Sequence, residues 1–142
     1  MRILTAVVIS LLATSVWSQD FEETLRLAQD GDASAQYSLG VMYHDGDGVT
    51  ENASAAVKWY RKAAEQGDTR AQFWLGLMYD DGEGITQNYR RAHMWWNIAR
   101  LQGDQRAQQG IRRVEDLMTP DDVSAAQKMA TRCFESNYTD CD

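Results

Sequence analysis

One pattern in this chain returns every 36 residues, and a period of that length leaves few folds open. Gly31-Asp32 recurs as Gly67-Asp68 and as Gly103-Asp104, and Ala35-Gln36 recurs as Ala71-Gln72 and Ala107-Gln108. Leu39-Gly40 returns as Leu75-Gly76, Met42-Tyr43 as Met78-Tyr79, and Gly46-x-Gly48 as Gly82-x-Gly84. Asn52, Ala56, Trp59, Tyr60 and Ala63 match Asn88, Ala92, Trp95, Trp96 and Ala99. So many coincidences in one register make this a repeat protein.

Each unit reads as two helices. Ala35, Leu39, Met42 and Tyr43 form one helical stripe, and Ala56, Trp59, Tyr60 and Ala63 form a second. Asp32, Asp68 and Asp104 suit N-caps, each behind a glycine that can end the preceding helix in the left-handed conformation. The Gly-x-Gly segments supply the positive φ of a tight turn between helices. Gly40 and Gly76 fall mid-helix, where glycine costs roughly 1 kcal/mol against alanine. Close approach of the partner helix, with Trp59 or Trp95 filling nearby space, is the expected compensation. A helix pair of this kind buries its apolar stripe only by stacking on neighbours.

The pattern A-Q-x-x-L-G-x-M-Y-x-D-G-x-G followed by A-x-x-W-[YW]-x-x-A-x-x-Q-G-D resembles the Sel-one-like repeat (SLR), a relative of the tetratricopeptide repeat. The resemblance implies an all-α, right-handed α-solenoid of stacked antiparallel helix pairs. It divides the chain into an N-terminal half-repeat helix (19–31), one unit over 32–67, a second over 68–103 and a partial third over 104–118. Arg112 and Glu115 replace the glycine and tyrosine of the pattern in that last helix, which reads as the start of a cap. The remainder, 119–142, forms a capping helix and a cysteine-bearing tail. Thr119 is its expected N-cap, Pro120 fits the first turn, and Asp122 favours the positive end of the helix dipole. Val123, Ala126, Met129 (or Ala130) and Phe134 make the stripe expected to cover the last repeat.

The first 18 residues read as a secretory leader. Arg2 precedes an apolar run from Ile3 to Ala13, and Val16-Trp17-Ser18 fits a cut before Gln19. The run is too short for a membrane span, so no stable anchor is expected after cleavage. Export, to the periplasm or outside the cell, and the even cysteine count favour a disulfide between Cys133 and Cys141 over two free thiols.

Catalytic signatures are missing. There is no G-x-S-x-G and no S-x-x-K, since Ser124 and Lys128 are one residue too far apart. His44 and His93 have no cysteine, serine or second histidine at a telling distance and read as ordinary helix residues. Asp45-Gly46-Asp47-Gly48 superficially resembles a calcium loop, but Val49 and Ala56 stand where oxygen ligands are needed. No cofactor, no metal and no catalytic residue is expected. The net charge of −7, from 14 basic and 21 acidic side chains, argues against nucleic acid as a partner.

The candidate site is a surface. Tyr37, Val41, Phe73 and Leu77 point roughly opposite the Ala35-Leu39-Tyr43 stripe, where a solvated face should be polar. Two accounts are open: packing between neighbouring first helices, or a concave recognition surface of the kind stacked helix pairs present. Arg70, Arg106, Gln109 and Arg113 fall on the same face, as do Ser34, His44 and Asp80. Such a groove would favour an extended, acidic or carboxylate-ending segment, although nearby acids could neutralise its arginines. The resemblance implies a non-enzymatic scaffold for a protein or peptide partner. The alternative is a β-lactam or cell-wall-peptide-acting enzyme or binder, the terms in which a cysteine-rich exported branch of the family is described. That branch carries a cysteine pair in each repeat, whereas the one pair here lies outside them.

Overall fold

A computed structural model describes residues 20–142; the expected leader, residues 1–18, lies outside them. Among the described residues there are seven helices and no strand. They are α1 (residues 20–29), α2 (Ala33–Asp45), α3 (Ala53–Ala64), α4 (Thr69–Asp81), α5 (Tyr89–Leu101), α6 (Ala107–Glu115) and α7 (Pro120–Glu135). Adjacent helices pack in pairs, α2 with α3 and α4 with α5, and the pairs stack through α3 on α4 and α5 on α6. This is the all-α solenoid that the repeat demands.

Local chemistry sets the helix ends. The Asp32, Asn52, Asp68 and Asn88 side chains accept hydrogen bonds from the amides of Ala35, Ala55, Ala71 and Arg91 at 2.7–3.1 Å. Each of these caps has an extended backbone, and each satisfies one of the unpaired amides of a helix start. Asp104 departs from the expected pattern. The chain makes a turn at 105–106, α6 begins at Ala107, and Asp104 instead binds the backbone N–H and the guanidinium of Arg106.

Gly40 and Gly76 sit where two helices touch. A Cβ on Gly40 would come within 2.6 Å of the Tyr60 ring, and one on Gly76 within 2.6 Å of the Trp96 ring. The neighbour is therefore Tyr60 or Trp96, not Trp59 or Trp95 as the stripe alone suggests. Trp59 turns instead toward Ala28, Ala35 and Leu39, with Phe21 and Leu25 of α1 beside them. Trp95 joins the main core of α3 to α7.

A second link repeats between units. Gln36 and Gln72 are buried, and their amides donate to the carbonyls of Ala28 (3.1 Å) and Ala64 (3.2 Å) at the end of the preceding helix. Gln66 donates to the Gln36 side-chain oxygen at 2.8 Å, and Gln102 donates likewise to Gln72. Each buried amide thus has partners on both sides, as its desolvation requires.

Helix α7 starts as the sequence implies, but packs on a different stripe. Thr119 accepts from the Asp122 amide, Pro120 stands in the first turn, and Asp121 and Asp122 lie at the positive end of α7. The covering stripe is Ala126, Ala130 and Cys133, however, and Phe134 is 44% exposed, packed edge-on against Tyr138. One residue beyond Cys133 is a 100° rotation, enough to carry Phe134 off the stripe. Helix α7 rests on α5 and barely touches α6. Cys133 and Cys141 are joined by a disulfide, both buried, which folds the tail back. There Asp142 reaches Arg91 at 2.7 Å and Arg61 at 3.7 Å.

Three outcomes follow from this packing. Gly40→Ala and Gly76→Ala should each destabilise by about 1–3 kcal/mol through overpacking, whereas an open helical site would gain about 1 kcal/mol; denaturant melts read the sign. Replacing both cysteines by serine should cost about 2–3 kcal/mol by the chain-entropy argument for a short loop, read as a lower melting temperature. The hydrogen bond from Arg106 holds the Asp104 carboxyl below its ordinary value of 3.8. A lowered carboxyl contributes stability that is complete above the unfolded value and lost as pH falls through the folded one. Asp104→Asn should therefore flatten the fall in melting temperature below about pH 4.

Candidate partner-binding face

The face expected to bind is formed by α2, α4 and α6, and the repeat places matching side chains on it. Tyr37 on α2 and Phe73 on α4 are 36 residues apart, as are Arg70 and Arg106. Each guanidinium lies over its aromatic ring: Arg70 over Tyr37 and Arg106 over Phe73, both at 4.3 Å from the ring centre. Each also forks onto the aspartate two residues before it, the cap Asp68 or its counterpart Asp104, with the shorter bond at 2.6 Å in both cases. Those bonds raise both guanidinium pKa values, so the charges are fixed at any working pH. Arg70 reaches Ser34 as well, at 3.3 Å.

These pairs decide the electrostatics of the face. Arg113 is salt-bridged to the buried Asp80 carboxylate. All three arginines thus have an acidic partner, and they supply no excess positive charge. What remains is geometric. The Arg70 and Arg106 head groups are exposed, while ring and carboxylate hold each in a fixed orientation. Among the described residues, the Nη1 group of each has no hydrogen-bond partner.

The expected residues divide between two neighbouring intervals. Phe73, Leu77, Arg106, Gln109 and Arg113 line one cleft of about 270 Å³, together with Trp96 and Gly110. Tyr37, Val41 and Arg70 lie one interval away, where Tyr37 packs against Tyr60 with ring centres 5.9 Å apart. Tyr37, Val41, Phe73 and Leu77 are half-buried, so they both pack within the stack and reach its surface.

Trp74 belongs to the same face, although the stripe argument passes over it. Its ring stacks on Tyr60 at 6.1 Å and 12° and lies 5.2 Å from His44. The signal available was its register: positions 38, 74 and 110 hold Ser38, Trp74 and Gly110, the widest change in volume on that face.

His93 also has partners that its spacing conceals. It is fully buried, with Nε2 at 2.7 Å from Glu115 on α6 and Nδ1 at 3.4 Å from the Asn97 amide. This pairing ties α5 to α6. A larger cleft, of about 460 Å³, lies where α5 and α7 begin. Its arginines are engaged, Arg90 with Asp122 at 2.9 Å and Arg91 with Asp142.

Comparison with known proteins agrees with this architecture. Among curated proteins none matches the chain. Several solved structures are similar, among them two that align with most of this chain. The first is c5321, a protective antigen present in uropathogenic Escherichia coli strains displaying an SLR fold, with a TM-score of 0.80 and 27% identity. The second is a Sel1 repeat protein from Oxalobacter formigenes, with a TM-score of 0.68 and 29% identity. The matches cover 85% and 88% of this chain but only 27% and 59% of those proteins. The Sel1 repeat model matches residues 33–68 and 69–104, half of the chain. Sel1 repeats generally mediate interactions between proteins. By that match and by its paired helices, the chain belongs to the Sel1 repeat family.

Proposed function

We propose that this protein is an exported, non-enzymatic scaffold that binds a protein or peptide partner along the face of α2, α4 and α6. The observation that carries the reading is the repeated pair of ring-stacked guanidiniums, Arg70 on Tyr37 and Arg106 on Phe73. A fixed guanidinium loses little side-chain entropy when a partner binds, so its remaining N–H groups are preorganised donors. Two such donors, one repeat apart, suit the backbone carbonyls of an extended segment. The half-buried aromatic rings beneath them offer apolar contact to the same segment. The Cys133–Cys141 disulfide supports export, because such bonds persist in oxidising compartments.

The test is a photo-crosslinker at Gln109, carried by the full chain in its native host. Arg70→Ala with Arg106→Ala should leave the helical spectrum unchanged and lower the melting temperature only modestly, because Asp68 and Asp104 keep their backbone hydrogen bonds. Capture of the crosslinked partner should fall several-fold at low salt. Undiminished capture would place binding on another face.

A further inference from the structure

Tyr43 and Tyr79 are equivalent in the repeat, but what accompanies them is not. Leu25 and Ala55 in the register of the first unit become Arg61 and Arg91 in the second. In the first unit Leu25 and Tyr43 pack on one apolar cluster. In the second, both guanidiniums stand over the Tyr79 ring, 5.7 and 5.8 Å from its centre, and Arg61 donates to the Tyr79 hydroxyl. Two like charges held on one ring repel, so the arrangement calls for an anion. That anion is the Asp142 carboxylate, the only ion-pair partner of either arginine among the described residues. Glu65, one turn beyond Arg61, makes no ion pair, and burial pushes its carboxyl up toward the neutral form. Asp142 Oδ1 is 2.7 Å from Arg91 but 3.7 Å from Arg61, so it bonds one guanidinium and only approaches the other. The arginine side chains are 25% and 28% exposed, whereas that of Asp142 is 81% exposed.

We infer that Arg61, Arg91 and Tyr79 form a binding site for an acidic side chain, which Asp142 fills from within the chain and from which an acidic segment of a partner displaces it. The site belongs to α3, α4 and α5 and uses none of the arginines of the face described above, so it is a second contact that stands apart from the scaffold reading. Its occupant is read from the structure, because an aspartate side chain already sits there. The donors are largely buried and stacked on a ring, so they are set before any ligand arrives. Asp142, by contrast, is tethered. Cys141 beside it is bonded to Cys133, and Arg132 donates to the Asp142 carbonyl at 2.7 Å. The tether limits where the carboxylate can reach, and Arg61 is left short of a full hydrogen bond. A carboxylate free of it can place one oxygen on each guanidinium. The Tyr79 hydroxyl, which accepts from Arg61, keeps its own O–H to donate. The pair that must break is exposed on the Asp142 side and therefore weak.

The probe is N-acetyl-glutamate α-amide, compared with its neutral counterpart N-acetyl-glutamine α-amide and with inorganic phosphate, all at one ionic strength. Each is titrated into the full, disulfide-bonded, isotope-labelled chain, watching the Nε–H signals of Arg61 and Arg91 and the ring of Tyr79. Asp142→Asn vacates the site while keeping the disulfide and the backbone bond from Arg132. In that variant the glutamate probe should give saturable shifts at all three residues and the glutamine probe none. The parent chain should respond at least about ten-fold more weakly, because the tethered carboxylate competes at high effective concentration. Adding Arg61→Gln or, separately, Arg91→Gln to the vacated chain should abolish the response, with circular dichroism checking that each remains folded. No saturable shift in Asp142→Asn would overturn the inference, as would equal responses to the charged and neutral probes. A parent response as strong as the variant's would show that Asp142 does not hold the site. Phosphate binding as well as the glutamate probe would make it a general anion site and overturn the acidic side chain as its ligand. Each of these failures would leave binding along α2, α4 and α6 intact, since the crosslinking test at Gln109 reads that face separately.

Discussion

Backbone pressed against an aromatic ring sets the geometry of this molecule. At Gly40 and Gly76 the missing side chain lets α2 settle on the Tyr60 face and α4 on Trp96, nearer than an alanine would permit. Dispersion falls off steeply with separation, so the gain from close contact outweighs the conformational cost of glycine within a helix. Once that spacing is fixed, the buried Gln36 and Gln72 come within reach of the preceding helix end and of Gln66 and Gln102. The stack is then determined by two short-range devices repeated along the chain, with no long-range pairing needed.

The same devices explain where regularity stops. Helix α6 lacks the mid-helix glycine at Arg112 and starts two residues later than the period predicts. It therefore turns a different glycine, Gly110, toward α5, and leaves α7 without a seat on its own outer side. Helix α7 packs on α5 instead, and the disulfide and the Asp142 ion pairs hold the tail beside it. The seat of α6 on Trp96 and the place of α7 on α5 are two results of one break in the pattern.

Much of this was legible in the sequence. The 36-residue period, the aspartate and asparagine caps and the Thr119-Pro120 start all rest on chemistry within a few residues of chain. What escaped depends on the third dimension. Trp59 and Tyr60 share one stripe, and only the packed pair reveals that the tyrosine meets the glycine. Phe134 and Cys133 compete for one stripe in the same way. The arginine partners show the limit more sharply. Arg70 and Asp68 are two residues apart, a spacing that does not bring side chains together along a helix, yet a helix cap and its second residue meet readily. Asp80 to Arg113 and His93 to Glu115 cross between elements, and no local rule predicts them.

The glutamine links have a consequence for how such a chain can lengthen. Gln66 bonds Gln36, Gln102 bonds Gln72, and Arg70 reaches Ser34, spans of 30, 30 and 36 residues. A tandem copy of one unit would carry donor and acceptor together, so the new junction would arrive with its bonds already specified. No compensating mutation is needed to make it. The clasp from Arg91 to Asp142 spans 51 residues and belongs to no unit. Duplication of a unit within the repeats would therefore leave that clasp as it stands, since neither of its partners forms a junction between units.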